Sequence, residues 1–113
     1  MPTGIDPKVD YAFKLSVLDI KARDDHGRLY NVEMQLFGSQ VHRHRLLYYW
    51  AFLHGNQLRE GEAYTELRET ISIAIVNTVL FPEASEFHLE FSPRSSVHPD
   101  LVFSDQFAIH LLE

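Results

Sequence analysis

The chain of 113 residues contains no cysteine, which excludes disulfide bonds and thiolate zinc sites. It has no apolar run long enough for a signal peptide or a membrane span, so we expect a cytoplasmic protein. Basic residues are few, with 10 Lys and Arg against 16 Asp and Glu, and the formal net charge is -6. This sign excludes nucleic-acid binding by overall charge, so any DNA contact must be local.

The residues that are present indicate one globular domain over 1–113. Apolar residues make up 45% of the chain and charged residues 23%, a composition typical of proteins that fold in water.

The segment "HRHR" at 42–45 is a local basic spot. Residues two apart point to different sides of a helix, so we expect His42 and His44 to form a solvated or phosphate-facing basic end rather than a metal site.

Two alternating segments, 16–24 and 29–37, predict a pair of β-strands. Each strand has one apolar face, which we expect to point into the core. The apolar positions are Leu18, Ile20 and Ala22 in the first strand and Tyr30, Val32, Met34 and Leu36 in the second.

The sequence "DDHG" between these strands predicts a hairpin loop of three residues, Asp25 to Gly27, closed by glycine in the left-handed conformation. If Asp24 pairs with Arg28, then Asp19 lies opposite Glu33. A two-residue loop would place Asp19 on the apolar side and bury a carboxylate, so the three-residue loop is favoured.

The rest of the chain predicts an α/β fold. A short helix is expected over 6–14, where proline follows a capping aspartate. One long helix is expected from Gln40 to about Glu60, with Gly55 as a weak position. The β-branched run 70–81 predicts a central strand, and 86–92 and 101–112 predict further strands on either side of a loop.

Asp19 and Glu33 raise a question of charge, because like charges opposite each other on neighbouring strands repel. A divalent cation between them would resolve the repulsion, and carboxylates are the ligands that Mg²⁺ prefers. Gln35 shares the face of Glu33 and could orient a water molecule. The alternative is that these side chains form the solvated face of an edge hairpin.

The stretches "LSVLDIKARDDHGRLYNVEMQ" and "HRLLYYWAFLHGNQLREGEAYTELRETISIAI" resemble the PD-(D/E)XK nuclease family transposases, also called the recombination-promoting nuclease family. The resemblance runs from about residue 15 to 75 and continues more weakly through "FHLEF" to "IHLLE". The opening "KVDYAFK" is similar to the first helix of the family.

This resemblance implies a restriction-endonuclease-like core: a mixed β-sheet with an antiparallel hairpin and one long packing helix. It also implies a DNA endonuclease of transposition or recombination that depends on Mg²⁺ or Mn²⁺. Asp19 and Glu33 match the acidic metal ligands, and Gln35 stands where better-known relatives carry lysine. The residues expected at the site are Asp19, Lys21, Glu33 and Gln35 for catalysis and His42, Arg45 and Tyr49 for substrate binding. Arg45 could instead brace Glu33, and Tyr49 could instead pack in the core.

The chain departs from the family between "DYAFK" and "LSVLD", where relatives carry more of the first helix, another helix and the first strand. We therefore expect an incomplete first helix and first strand, a short C-terminus and an open sheet edge through which the chain could form a homo-oligomer. Two alternatives stay open. One is an inactive nuclease remnant that binds DNA or protein, and the other is an interaction domain with merely solvated carboxylates.

Overall fold

The computed structural model describes residues 17–35 and 40–113, and within them the chain forms five strands and one α-helix. The short helix predicted over 6–14 lies outside the described residues. The elements in chain order are β1 (Val17–Arg23), β2 (Leu29–Gln35), α1 (Val41–Gly55), a 3₁₀ helix (Tyr64–Glu66), β3 (Thr70–Val76), β4 (His88–Phe91) and β5 (Phe107–Leu112).

The strands form one mixed sheet in the order β1-β2-β3-β5-β4. Strands β1 and β2 are antiparallel, as are β4 and β5, whereas β3 runs parallel to both of its neighbours. A parallel pair needs a long crossover, and α1 supplies it between β2 and β3. The predicted α/β architecture is confirmed, and it is consistent with a restriction-endonuclease-like fold.

The hairpin between β1 and β2 has the predicted three-residue loop. The Gly27 N–H donates to the Asp24 carbonyl at 3.1 Å, and the Asp24 N–H donates to the Arg28 carbonyl at 3.1 Å. Gly27 has a φ of 81°, the left-handed conformation that glycine adopts without steric cost. The predicted register is confirmed, because Asp19 is the backbone partner of Glu33.

The core lies between α1 and one face of the sheet. In β3, alternate residues from Thr70 to Val76 are buried, as expected for the central strand. The residues of this core are Leu46, Ala74, Val76, Leu80, Ile109 and Leu111, with Trp50, Phe81, Leu89 and Phe107 packed against them.

The hairpin buries the face opposite to the one that we predicted. Glu33 is 3% exposed and Asn31 is 2% exposed, whereas Ile20 is 47% exposed. The register places Glu33 beside Ala74 of β3, on the sheet face that packs against α1. Because side chains alternate along a strand, Ile20 and Met34 point to the other face, which no described element covers.

Several predicted ends are displaced. Helix α1 ends at Gly55 rather than near Glu60, and the Asn56 side chain donates to the Phe52 carbonyl at 2.6 Å. Strand β3 ends at Val76 instead of continuing to 81. The last predicted strand begins at Phe107, because residues 101–106 form a loop whose final turn is held by the Ser104 hydroxyl. In the part of the chain that the structure describes, no helix is long and apolar enough to cross a membrane.

Candidate active site

Asp24 fixes the turn that sets the hairpin register. Its carboxylate accepts hydrogen bonds from the backbone N–H groups of His26 and Arg28, from the Arg28 guanidinium at 2.7 Å and from the Tyr30 hydroxyl at 3.0 Å. Desolvation alone would raise the pKa of Asp24, but these hydrogen bonds outweigh it and lower that pKa to about 2. The turn is therefore held by an ionised side chain at neutral pH.

Glu33 is the buried acidic residue of the candidate site. It lies in the middle of β2, between Asp19 of β1 and Ala74 of β3 in the backbone register. Its Oε1 is 4.0 Å from Nη2 of Arg45, and its Oε2 accepts a long hydrogen bond of 3.5 Å from the Asn31 side chain. A buried carboxylate is costly unless charged or polar groups offset the loss of water, and Arg45 and Asn31 are two such groups beside Glu33.

Asn31 and Ser72 add unpaired oxygens beside Glu33. They are backbone partners on β2 and β3, and both are almost completely buried. The Asn31 Oδ1 and Ser72 Oγ atoms have no hydrogen-bond partner among residues 17–35 and 40–113. Buried polar atoms without partners are uncommon in folded proteins, and they often mark a site where water or an ion binds.

Arg45 and Tyr49 share the face of α1 that covers the hairpin, as their spacing of four residues predicts. The Arg45 guanidinium carbon lies 5.6 Å from the centre of the Tyr49 ring, within reach of a cation–π contact. Arg45 therefore stands between an aromatic ring and the Glu33 carboxylate. About a quarter of its side chain, 23%, stays exposed.

His42 lies on α1 one turn before Arg45, and it is only 3% exposed. Burial, with a smaller contribution from the Arg45 charge, lowers the pKa of His42 to about 4. Neither ring nitrogen has a hydrogen-bond partner within the described ranges. The expectation of a solvated basic end is therefore wrong for His42, which is neutral at pH 7, while its neighbours Arg43 and His44 are exposed.

The remaining predicted site residues are placed by the backbone register. Asp19 is opposite Glu33, Lys21 is opposite Asn31, and Gln35 is opposite Val17. Lys21 is exposed near the edge of the described sheet. The side chains of Asp19 and Gln35 lie outside the described part of the structure. The prediction that two carboxylates flank one cation therefore stays a prediction.

The residues around Glu33 fit a hard divalent cation. Residues 17–35 and 40–113 contain no group of three His, Asp or Glu side chains that could hold a metal ion by themselves. The buried Glu33 carboxylate and the unpaired Asn31 Oδ1 are nevertheless oxygen donors, the type that Mg²⁺ and Mn²⁺ prefer. Asp19, directly opposite Glu33 in the register, would supply the further carboxylate that such a site needs.

A comparison with protein families matches residues 7–113 to the PD-(D/E)XK nuclease family transposases. The chain belongs to this family. No curated protein and no solved structure matches it. The match confirms the resemblance expected from the hairpin and helix segments. It also extends through β4 and β5, where the resemblance was weaker. Members of this PD-(D/E)XK family are described as nucleases and transposases, so the buried acidic residue of β2 lies in a nuclease fold.

Two buried polar residues near Glu33, Asn31 and Ser72, are not among the site residues expected from the sequence. The signal for Asn31 is its position two residues before Glu33, because residues at that spacing share a sheet face. No local signal marks Ser72, since only the pairing of β2 with β3 brings it beside Asn31.

Proposed function

We propose that this chain is a metal-dependent DNA endonuclease that hydrolyses phosphodiester bonds during transposition or recombination, and that it acts in the cytoplasm. The observation that carries the proposal is the hairpin register. It pairs Asp19 with Glu33 on adjacent strands, and Glu33 is 3% exposed beneath a helix. Family membership supports a nuclease, and the oxygen donors near Glu33 support a hard cation.

Asp19 and Glu33 would hold the ion, which we propose to be Mg²⁺ or Mn²⁺. When it is bound, such an ion neutralises charge on the scissile phosphate and lowers the pKa of a water molecule. Nη2 of Arg45 is 4.0 Å from Oε1 of Glu33, and the Asn31 side chain donates a long hydrogen bond to Oε2. These contacts would limit rotation of the Glu33 carboxylate, and a preorganised ligand binds its ion with less loss of entropy.

Gln35 and Lys21 complete the proposed catalytic group. A glutamine side chain is neutral, so Gln35 can orient the attacking water or a phosphate oxygen through hydrogen bonds but cannot offset charge. Lys21 would supply the positive charge that Gln35 lacks, and its side chain is exposed.

Arg45 and Tyr49 are proposed to contact the phosphate backbone from the helix side. The guanidinium of Arg45 can bind phosphate in a bidentate manner, and its partial exposure allows access. His42 differs, because it is buried and neutral at pH 7. Its role in substrate binding stays a prediction, and the burial of its ring argues against a direct charge contact.

Nicking of supercoiled plasmid DNA tests this proposal. Wild-type protein should nick with Mg²⁺ and lose activity with a chelator. We expect Asp19→Asn and Glu33→Gln to lose more than about a hundredfold, since even residues that only support metal ligands cost about 10- to 100-fold. Asp25→Asn removes the same charge from an exposed turn position and should keep full activity.

Equal nicking by wild type and both site variants would refute the enzymatic proposal, provided that circular dichroism shows the variants to be folded. DNA binding without cleavage by wild type would instead support the second candidate function. That candidate is an inactive nuclease remnant that binds DNA or protein. It is favoured by the position of β1, which pairs only with β2 in the described sheet and could pair with a second copy of the chain.

A further inference from the structure

Two histidines lie side by side on the sheet face that points away from α1. Nε2 of His88 on β4 is 2.9 Å from Nδ1 of His110 on β5, and the ring centres are 5.2 Å apart. Glu90 is the backbone partner of His110, and its Oε2 is 3.9 Å from Nε2 of that ring. The candidate nuclease site uses none of these three residues.

The position of Glu90 bears on which nitrogen of His110 carries the proton. A carboxylate near Nε2 favours the tautomer with hydrogen on Nε2, which leaves the lone pair of Nδ1 directed at His88. A carboxylate beside a ligand histidine also limits rotation of the ring. The Nδ1 atom of His110 is thus arranged to act as an acceptor or a metal ligand.

We propose that His88 and His110 bind one borderline divalent transition-metal ion, such as Zn²⁺ or Cu²⁺, through Nε2 of His88 and Nδ1 of His110. Two nitrogens at about 2.0–2.1 Å from one ion are about 2.9–3.4 Å apart for bond angles between 90° and tetrahedral. The observed distance of 2.9 Å already lies within this range. The proton on Nε2 of His88 moves to Nδ1 of the same ring through solvent, so both imidazoles stay neutral.

The surroundings of this histidine pair suit a metal that arrives from solution. His88 is exposed, and the side chains of His110 and Glu90 are 25% and 60% exposed. The pair leaves further coordination positions for water. Imidazole nitrogens select Zn²⁺, Cu²⁺ or Ni²⁺ over Mg²⁺, which prefers oxygen. The site should therefore bind a different class of ion from the one proposed at Glu33.

This histidine pair is also separate in space from the nuclease site. His110 pairs with Ile73 of β3, whereas Glu33 pairs with the next residue, Ala74. Successive residues of a strand point to opposite faces, so the two sites lie on opposite faces of the sheet. Metal binding at the histidine pair can therefore be measured without any reference to DNA cleavage.

Isothermal titration with Zn²⁺ tests the proposal on the full chain. We expect one site in the wild-type protein and at least about a tenfold weaker affinity in both His88→Ala and His110→Ala. Loss of a residue that supports a metal ligand typically weakens binding by about 10- to 100-fold, so Glu90→Gln should fall in that range. His98→Ala removes an exposed histidine from a loop and should bind Zn²⁺ like the wild type.

A second measurement needs no variant and so does not depend on the folding of mutants. In proton–carbon NMR spectra of the wild-type histidine rings, Zn²⁺ should shift two of the seven ring signals first. Assignment of those signals to His88 and His110 would support the site. Shifts that begin at His26 or His98, or unchanged Zn²⁺ affinity in His88→Ala, would overturn it.

Discussion

Acid should destabilise this protein through His42, because its ring is buried and stays neutral inside the fold. The unfolded chain binds a proton at His42 when the pH falls below 6.5, whereas the folded protein does so only near pH 4. Between these values the unfolded state binds more protons, so the free energy of unfolding decreases as the pH falls. The stabilisation is complete above about pH 7 and is lost on the way down to about pH 4.

The size of this effect follows from the shift in pKa from 6.5 to about 4. One pKa unit corresponds to about 1.4 kcal/mol, so the whole loss is about 3 kcal/mol. About 2 kcal/mol of this loss occurs between about pH 7 and pH 5. In that range the slope of the free energy of unfolding against pH corresponds to the uptake of about one proton on unfolding. A loss of this size is a large part of the stability of a small domain.

The comparison variant is His42→Leu, which places an apolar side chain of similar size at a position 3% exposed. Neither ring nitrogen has a hydrogen-bond partner in the described ranges, so the variant should be neutral or stabilising at pH 7. Urea unfolding at several pH values then gives the effect as a difference between the two proteins. Burial also lowers the pKa of His54, but both proteins contain His54, so its contribution cancels in this difference.

The reasoning about His42 would be refuted by parallel pH profiles. If wild type and His42→Leu lose stability equally between about pH 7 and pH 5, then the imidazole is not a buried neutral group. A ring signal of His42 that titrates near 6.5 in NMR spectra of the folded protein would lead to the same conclusion.

Two further predictions concern the hairpin turn. Gly27→Ala should lower the free energy of unfolding, measured by urea unfolding, by about 1–2 kcal/mol, because the left-handed φ of 81° strains any residue with a Cβ. The added Cβ would also lie 3.3 Å from the Arg68 side chain. An equally stable variant would contradict this prediction. Because the pKa of Asp24 is lowered in the folded protein, its ionised carboxylate stabilises the fold above about pH 4. This stabilisation should be lost as the pH falls towards about 2. Asp24→Asn should lack this loss, and acid titration by circular dichroism measures it.

The turn and the register of the hairpin could be predicted from the sequence because their causes are local. "DDHG" specifies a turn closed by Gly27, and the turn then fixes which residues of β1 and β2 are partners. The central position of β3 was also predictable, because its β-branched and apolar residues suit a strand that is covered on both sides by neighbours. The helix was predicted for a similar reason, although Gly55 ends it early.

The buried face of the hairpin could not be predicted in this way. The apolar side of β2 includes Met34 and its polar side includes Glu33, so the binary pattern alone assigned the wrong side to the core. That rule fails here because α1 packs over Glu33 and brings Arg45 close to it. A charged residue is tolerated inside a fold when such partners offset the loss of water.

The burial of His42 and the pairing of His88 with His110 could not be predicted either, because both depend on contacts between distant segments. His42 resembled its basic neighbours in sequence, and only the packing of α1 on the sheet showed that it is inside. His88 and His110 are far apart in the chain, and the antiparallel pairing of β4 and β5 brings them together. Contacts between distant segments depend on tertiary structure and leave no local pattern.

The sequence by itself determined the order of the described strands and helix α1, the family, and the pairing of Asp19 with Glu33 in the hairpin, because periodicity and turn chemistry act over a few residues. Tertiary structure decided which face α1 covers, and therefore the burial of Glu33, the ion pair with Arg45 and the neutral state of His42. These features depend on removal of water by distant segments. Burial and charge are set by the complete surroundings of a side chain, which no short stretch of sequence contains.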